Sequence, residues 1–332
     1  MPQGQTGARL LVETLVANGV DRAFCVPGES YLAVLDAMVD APGIDLVICR
    51  QEGGAAIMAD ADGKMTGKPG ICFVTRGPGA TNASAGVHIA FQDSTPMILF
   101  IGQVARHQVE REAFQEIDYR RMFGEMAKWV AQIEDPARVP EYVSHAFHTA
   151  MSGRPGPVVL ALPEDMLTEE VLKQVAIPGP AHVVQAHPGP DAMAQLRAMM
   201  ETAERPLMIL GGGSWTEQAA EDIRAFAEAN NLPTSVSFRR QDLLPNDHPL
   251  YAGDVGIGIN PKLAERVKTS DLILAVGPRL GEMTTGGYSL LDIPVPKQRL
   301  VHIHPGAEEL GRVYRAELAM NSGMPGFAAA AK

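Results

Sequence analysis

What most constrains this chain is a series of short segments that are apolar throughout. Ala23-Phe24-Cys25-Val26, Leu46-Val47-Ile48-Cys49, Gly70-Ile71-Cys72-Phe73-Val74, Pro96-Met97-Ile98-Leu99-Phe100-Ile101 and Val158-Val159-Leu160-Ala161-Leu162-Pro163 show no polar alternation. Such strands need cover on both faces, as in a parallel sheet flanked by helices. Helix-forming stretches at 6–18, 31–39, 53–61 and 80–91 fall between them. Strand–helix–strand alternation implies right-handed crossovers and a doubly wound sheet. A second series, Leu207-Met208-Ile209-Leu210, Pro233-Thr234-Ser235-Val236, Asp271-Leu272-Ile273-Leu274-Ala275-Val276 and Leu300-Val301-His302-Ile303-His304, repeats the pattern. The expected fold class is therefore α/β, with two doubly wound parallel-sheet domains.

A chain of 332 residues has room for two such units. Expected boundaries are 1–168 for the first domain, 169–190 for a Pro/Gly-rich linker and 191–325 for the second. The tail, 326–332, is Gly-Phe followed by four Ala and a Lys, and is expected to be disordered. A net charge of −11 argues against nucleic acid, and Arg120-Arg121 and Arg239-Arg240 are isolated basic pairs. No apolar run is long enough to span a membrane. Residues 1–9 are polar and lack a signal-peptide core, so a cytoplasmic protein is expected. The three cysteines, Cys25, Cys49 and Cys72, fit neither a metal spacing nor a disulfide framework. They read as small buried hydrophobes.

Chemistry concentrates after the strands. Glu52 follows the second strand and opens a small-residue helix, Gly53-Gly54-Ala55-Ala56-Ile57-Met58-Ala59. Ligands of parallel sheets bind outside the carboxyl ends of the strands. An acidic residue in the first helical turn also suits the helix dipole, so on its own Glu52 reads first as a helix start. Gly77-Pro78-Gly79-Ala80-Thr81-Asn82 joins the third strand to a helix and is neither a dinucleotide fingerprint nor a phosphate loop. Gly211-Gly212-Gly213-Ser214 can cradle a phosphate or make a turn. His302 and His304 share one strand face without metal-spaced partners and read as structural. His88 reads as a core or interface residue.

Taken in order, these motifs say more than each does alone. Val26-Pro27-Gly28-Glu29, Arg50-Gln51-Glu52-Gly53, Thr75 to Asn82, Asp93-Ser94-Thr95-Pro96, Phe114-Gln115-Glu116 and Gly153-Arg154-Pro155-Gly156-Pro157-Val158 occur in sequence. This set resembles the pyrimidine-binding domain of thiamine-diphosphate enzymes, in particular the acetolactate synthase group. Pro206 to Gly213, Asp247-His248-Pro249, Gly253 to Gly258, Asp271 to Gly277 and His302-Ile303-His304-Pro305 resemble that family's central domain.

The resemblance implies roles. Glu52 matches the glutamate that hydrogen-bonds a pyrimidine nitrogen of thiamine and exchanges a proton with the ring. A carboxyl in an apolar cleft, with its pKa raised, suits that exchange. Gln115, with Phe114, matches the pair on the substrate side of the cofactor, and Glu52 and Gln115 are the catalytic candidates. Pro27, Gly28 and Asn82 match positions lining the pyrimidine pocket. The cofactor is an electron sink for a 2-keto acid. The implied activity is that of a carboligase or decarboxylase, a transferase or lyase.

The chain departs from the family in two places. No Gly-Asp-Gly run with a later Asn pair occurs, so the domain that holds the diphosphate through Mg²⁺ is expected to be absent. The chain alone is expected to bind thiamine diphosphate weakly and not to turn over, unless a separate subunit supplies that domain. The Arg-Phe-Asp-Asp-Arg run of flavin-using members is here Arg279-Leu280-Gly281-Glu282-Met283, which argues against FAD. Arg154, Gly211, Gly212 and Gly213 are the positions where a flavin would sit. No metal ligands are assigned. A homodimer or tetramer packed through the small-residue helices is expected. The alternatives are a non-catalytic binding or regulatory module of the same fold and a nucleotide-binding oxidoreductase built on Gly211-Gly212-Gly213.

Overall fold

A computed structural model describes residues 5–332; residues 1–4 of the polar N-terminal stretch lie outside the described residues. The chain divides into two compact units at Val183/Val184.

The first unit runs α1 (Gly7–Ala17), β1 (Arg22–Cys25), α2 (Leu32–Val39), β2 (Asp45–Ile48), α3 (Glu52–Thr66), β3 (Gly70–Val74) and α4 (Gly77–Asp93). It continues with β4 (Met97–Gln103), α5 (Tyr119–Phe123), β5 (Trp129–Gln132), α6 (Val139–Met151), β6 (Pro157–Pro163) and α7 (Glu164–Thr168). The sheet order is β2-β1-β3-β4-β6-β5, with every pair parallel. Central strands β3, β4 and β6 are buried along their whole length, as their unbroken apolar sequences require. Cores lie on both faces, one around Leu10, Leu11, Phe73 and Phe100, the other around Ala55, Ala83, Leu99 and Ile101.

From β1 the chain crosses to β2 on one side, and β3 then lies on the other. The β1/β3 boundary is therefore a topological switch point, where the loops diverge and leave a crevice at the carboxyl edge. Three of the turns entering the strands are looser. A side chain at Gly19, Gly43 or Gly67, which lead into β1, β2 and β3, would meet open space.

Helices α3 and α4 pack against each other at backbone distance. A Cβ on Gly86 would lie 2.5 Å from Ala56 Cβ and 2.8 Å from Ala56 C. Ala55, Ala56, Ala59, Ala80, Ala83 and Ala90 are fully buried. The small residues expected to admit a second subunit are thus used within one chain; the outer side of α3 carries Ile57, Met58 and Met65, all exposed. His88 is exposed on α4, which corrects its reading as a core residue.

The second unit runs α8 (Pro190–Glu201), β7 (Pro206–Leu210), α9 (Glu217–Ala229), β8 (Thr234–Val236), β9 (Tyr251–Asp254) and α10 (Pro261–Thr269). Then come β10 (Leu272–Val276), β11 (Arg299–His304), β12 (Leu318–Asn321) and α11 (Met324–Ala331). Its parallel order is β12-β11-β10-β7-β8-β9, with a switch point between β7 and β10. The tail expected to be disordered is instead helix α11. Met324, Phe327 and Ala328 are fully buried in the core around Leu274 and Ile303, and Lys332 pairs with Asp222 at 2.8 Å. Alanine is the strongest helix former, and one aromatic anchor suffices to dock the segment.

The segment read as a linker is tied down at both ends. Val171 N and Val175 N donate to Gln5 O and Gln5 Oε1 at 2.8 and 2.9 Å, and Ala181 N donates to Asn18 Oδ1 at 3.0 Å. Past the division, Ala186 O accepts from Gly323 N at 2.9 Å.

Candidate active site

The crevice at the β1/β3 boundary gathers residues from several crossovers. Glu52 is the first residue of α3 and is half-buried. Its helix is capped by the preceding residue, Gln51, whose Oε1 accepts from Gly54 N at 2.7 Å. The Glu52 carboxylate is therefore not needed as the cap and turns to α4, where Asn82 Nδ2 donates to Glu52 Oε2 at 2.9 Å. A Cβ on Gly79 would stand 3.6 Å from Glu52 Oε1 and 3.0 Å from Thr75 Cγ2. Glycine at 79 keeps the space before Oε1 clear.

The opposite wall comes from β1. A Cβ on Gly28 would lie 2.5 Å from Thr75 Cβ, so only glycine allows the loops after β1 and β3 to meet. Thr75 Oγ1 and Ser30 Oγ are hydrogen-bonded at 2.9 Å. Tyr31 donates its hydroxyl to Val26 O, one residue before Pro27, and burial pushes that hydroxyl's pKa up. Pro27 itself is exposed on the rim.

The third contribution is the 104–118 loop. Gly77 N, at the start of α4, donates to Gln115 O at 2.9 Å. Gln115 is half-buried with φ of +66°, and Phe114 beside it is 70% exposed. The structure thus brings Glu52, Asn82 and Gly28 to one carboxyl-edge crevice and ties Gln115 to it through its backbone.

Sequence reasoning gave Thr75, Ser30 and Arg76 no individual roles. Arg76, buried at the N-terminus of α4, bonds Glu164 at 2.6 Å and Glu29 at 3.3 Å. Glu164 is 88 residues away, and no local spacing reveals that pairing. The thiols of Cys25 and Cys72 lie close by, but burial pushes Cys25 up to about 11 and Cys72 well above the usual thiol range. Both stay protonated and serve as packing groups, not nucleophiles.

The flavin candidates have other partners. Arg154 precedes β6, at the amino edge of the first sheet; Nε donates to Ser94 Oγ at 2.9 Å and Nη2 to Phe91 O at 2.5 Å. In the second unit Gly211, Gly212 and Gly277 mark a crossing of backbones at the β7/β10 switch point. A Cβ on Gly212 would lie 2.0 Å from Gly277 O, and both residues have positive φ. Trp215 Nε1 donates to Gly211 O at 2.7 Å, and Arg240 bonds Gly212 O. A turn therefore accounts for Gly211 and Gly212. His302 Nε2 lies 3.0 Å from Pro278 O and His304 Nδ1 3.0 Å from Gly306 O, both buried in structural roles. Among the described residues no cluster of three or more His, Cys, Asp or Glu could hold a metal ion, and no helix is long and apolar enough to cross a membrane.

Residues 5–122 match the family described as thiamine pyrophosphate enzyme, N-terminal TPP binding domain, and residues 193–330 match that of the thiamine pyrophosphate enzyme central domain. The chain belongs to the thiamine pyrophosphate enzymes. An acetolactate synthase large subunit of Parasynechococcus marenigrum is 34% identical over 96% of this chain and 52% of its own length. A probable acetolactate synthase large subunit of Methanocaldococcus jannaschii is 32% identical over 94% of the chain and 53% of its own length. The acetolactate synthase isozyme 2 large subunit of Escherichia coli is 31% identical over 95% and 56%. The chain spans about half the length of these curated relatives. The first family match ends at residue 122, within α5, and covers the whole crevice; the second covers β7 to β12.

Proposed function

We propose that this chain supplies the pyrimidine-binding half of the active site in a thiamine-diphosphate-dependent, acetolactate-synthase-like enzyme acting on a 2-keto acid. The observation that carries the reading is the Glu52–Asn82 hydrogen bond at the switch-point crevice, where glycine at 28 lets the loops after β1 and β3 meet and glycine at 79 leaves Glu52 Oε1 uncrowded. A side chain at Gly28 would collide with Thr75 and one at Gly79 would crowd Thr75 beside Glu52, and a carboxylate with one oxygen bonded to Asn82 and the other turned to Gly79 fits a ring nitrogen.

Glu52, Asn82 and Gly28 would hold the pyrimidine ring. Bound thiamine diphosphate supplies an electron sink for 2-keto acid chemistry. Glu52 Oε1 is the atom at which this chain holds and moves a proton. Asn82 fixes the carboxylate's orientation through Oε2, so the exchanging oxygen is the one facing the crevice. The Ser30–Thr75 pair braces the wall behind Gly28. Gln115 is anchored through its carbonyl, which leaves its amide side chain available to the substrate side.

The reading places the Mg²⁺-diphosphate anchor outside this chain, on a further domain or a separate subunit, and includes no flavin. It assembles as a homodimer at least, through the exposed apolar side of α3 at Ile57, Met58 and Met65. Calorimetric titration with thiamine diphosphate and Mg²⁺ tests it. Weak binding is expected, reduced about tenfold or more in Glu52→Gln, on the scale of one lost charge-assisted hydrogen bond. Equal affinity of the two proteins refutes the assignment, and steady turnover of pyruvate by the purified chain refutes the placement of the anchor.

A further inference from the structure

The loop that carries Phe114 and Gln115 is strained. Glu110, Glu112 and Gln115 all have positive φ, at +64°, +54° and +66°. Non-glycine residues rarely adopt the left-handed region, and three within six positions persist only where surrounding bonds over-determine the backbone. Two of those bonds come from one side chain. Glu116 Oε1 accepts from Glu110 N at 2.7 Å, and Glu116 Oε2 accepts from Ala113 N at 3.2 Å. Glu116 N itself donates to Ala113 O at 3.0 Å. A single carboxylate thus fastens residues 110 and 113 of the strained turn, which Phe114 and Gln115 complete.

The turn is also the link to the crevice. Gln115 O accepts from Gly77 N at 2.9 Å, and a Cβ on Gly77 would lie 2.8 Å from that oxygen. Gly77 opens the helix that carries Asn82, the partner of Glu52. We propose that Glu116 is a positioning residue of this site: its carboxylate holds the 110–115 turn in its left-handed path so that Gln115 is seated on the first residue of α4. It acts through the backbone of its own loop and touches neither Glu52 nor Asn82. Its relevance to the reaction rests on the proposed function; the bracing itself does not.

Hydrogen exchange resolved at single amides, on the full chain without ligand, separates these. In Glu116→Ala the amides of Glu110 and Ala113 are expected to exchange about tenfold faster or more, since each loses its acceptor. The amide of Gly77 is expected to exchange faster as well, although it lies far away in sequence and donates to the Gln115 carbonyl rather than to the Glu116 side chain. A carboxylate that merely tidied its own turn would leave Gly77 unchanged. Glu116→Gln keeps one acceptor oxygen and should show an intermediate pattern. Adding Glu112→Gly to Glu116→Ala removes a strained residue and should restore part of the Gly77 protection. If Gly77 does not respond while Glu110 and Ala113 do, or if none responds, the proposal is wrong. If the unaltered chain fails to bind thiamine diphosphate while the exchange pattern holds, the functional reading fails and the bracing stands. Should Glu116→Ala not fold, Glu116→Gln and its double variant with Glu112→Gly carry the same comparison.

Discussion

Replacing glycine by alanine should have opposite effects at two positions in the α3–α4 pair. At Gly86 a Cβ would sit 2.5 Å from Ala56 Cβ, 2.8 Å from Ala56 C and 2.9 Å from Ile57 N. Two of these are backbone atoms of a packed helix and cannot swing aside, so α4 must move away from α3. Overpacking of this kind costs about 1–3 kcal/mol, and contact with backbone puts it at the upper end. Alanine's better helix propensity returns about 1 kcal/mol. The net loss is therefore about 1–2 kcal/mol, or a fall of about 2–8 °C in the Tm of the first unit. At Gly54, in α3, the same Cβ would find only Gln51 Oε1 at 3.8 Å. There the propensity gain stands alone, and Gly54→Ala should stabilise by about 0.5–1 kcal/mol. Denaturant titration followed by circular dichroism measures both. A Gly86→Ala protein as stable as the parent would show that the two helices are not in backbone contact, and the wall carrying Asn82 would lose its physical basis.

Other expectations follow from the second unit. Phe327→Ala should cost about 3–5 kcal/mol, because Phe327 is fully buried where a frayed tail would leave it exposed; a protein with unchanged Tm would restore the disordered reading. Burial pushes His302 down to about 4, with His304 and Glu309 as its titratable neighbours. A base with a folded pKa below its unfolded value stays neutral in the fold, so its contribution is complete above about pH 6.5 and is lost as pH falls toward 4. The second unit should lose up to about 1.4 kcal/mol per pH unit across that window, and His302→Gln should flatten the profile. An unchanged slope in that variant would assign the acid sensitivity elsewhere.

The sheets were legible wherever a strand is covered on both faces. The strands absent from the sequence reading, Trp129–Gln132, Tyr251–Asp254 and Leu318–Asn321, are all sheet edges. Each is four residues long with only partial or alternate burial, so no apolar run announces it. The candidate residues were legible by type because Gly28 and Glu52 follow strands directly and Asn82 lies early in the helix after the third. Its bracing was not. The Arg76–Glu164 pair and the Gln115–Gly77 bond join distant crossovers, and the positive φ values of 110, 112 and 115 fall on residues that do not advertise them. The tail misled because four alanines look like low complexity until Phe327 is given a core to enter.

The two rims of the first sheet differ in a way that matters for altering this protein. Glycines leaving the strands, at 28, 77 and 79, are each hemmed in by Thr75 or by the 115–117 backbone and side chains. Of the glycines entering them, those at 19, 43 and 67 face open space, whereas Gly70 and Gly156 lie against Ala59 and Lys128. Insertions, affinity tags and new chain termini therefore belong at the turns of Gly19, Gly43 and Gly67, where an added side chain meets no neighbour. The same geometry makes length negotiable at those three turns and fixes it at 28, 77 and 79, where one added atom already meets the neighbouring loop.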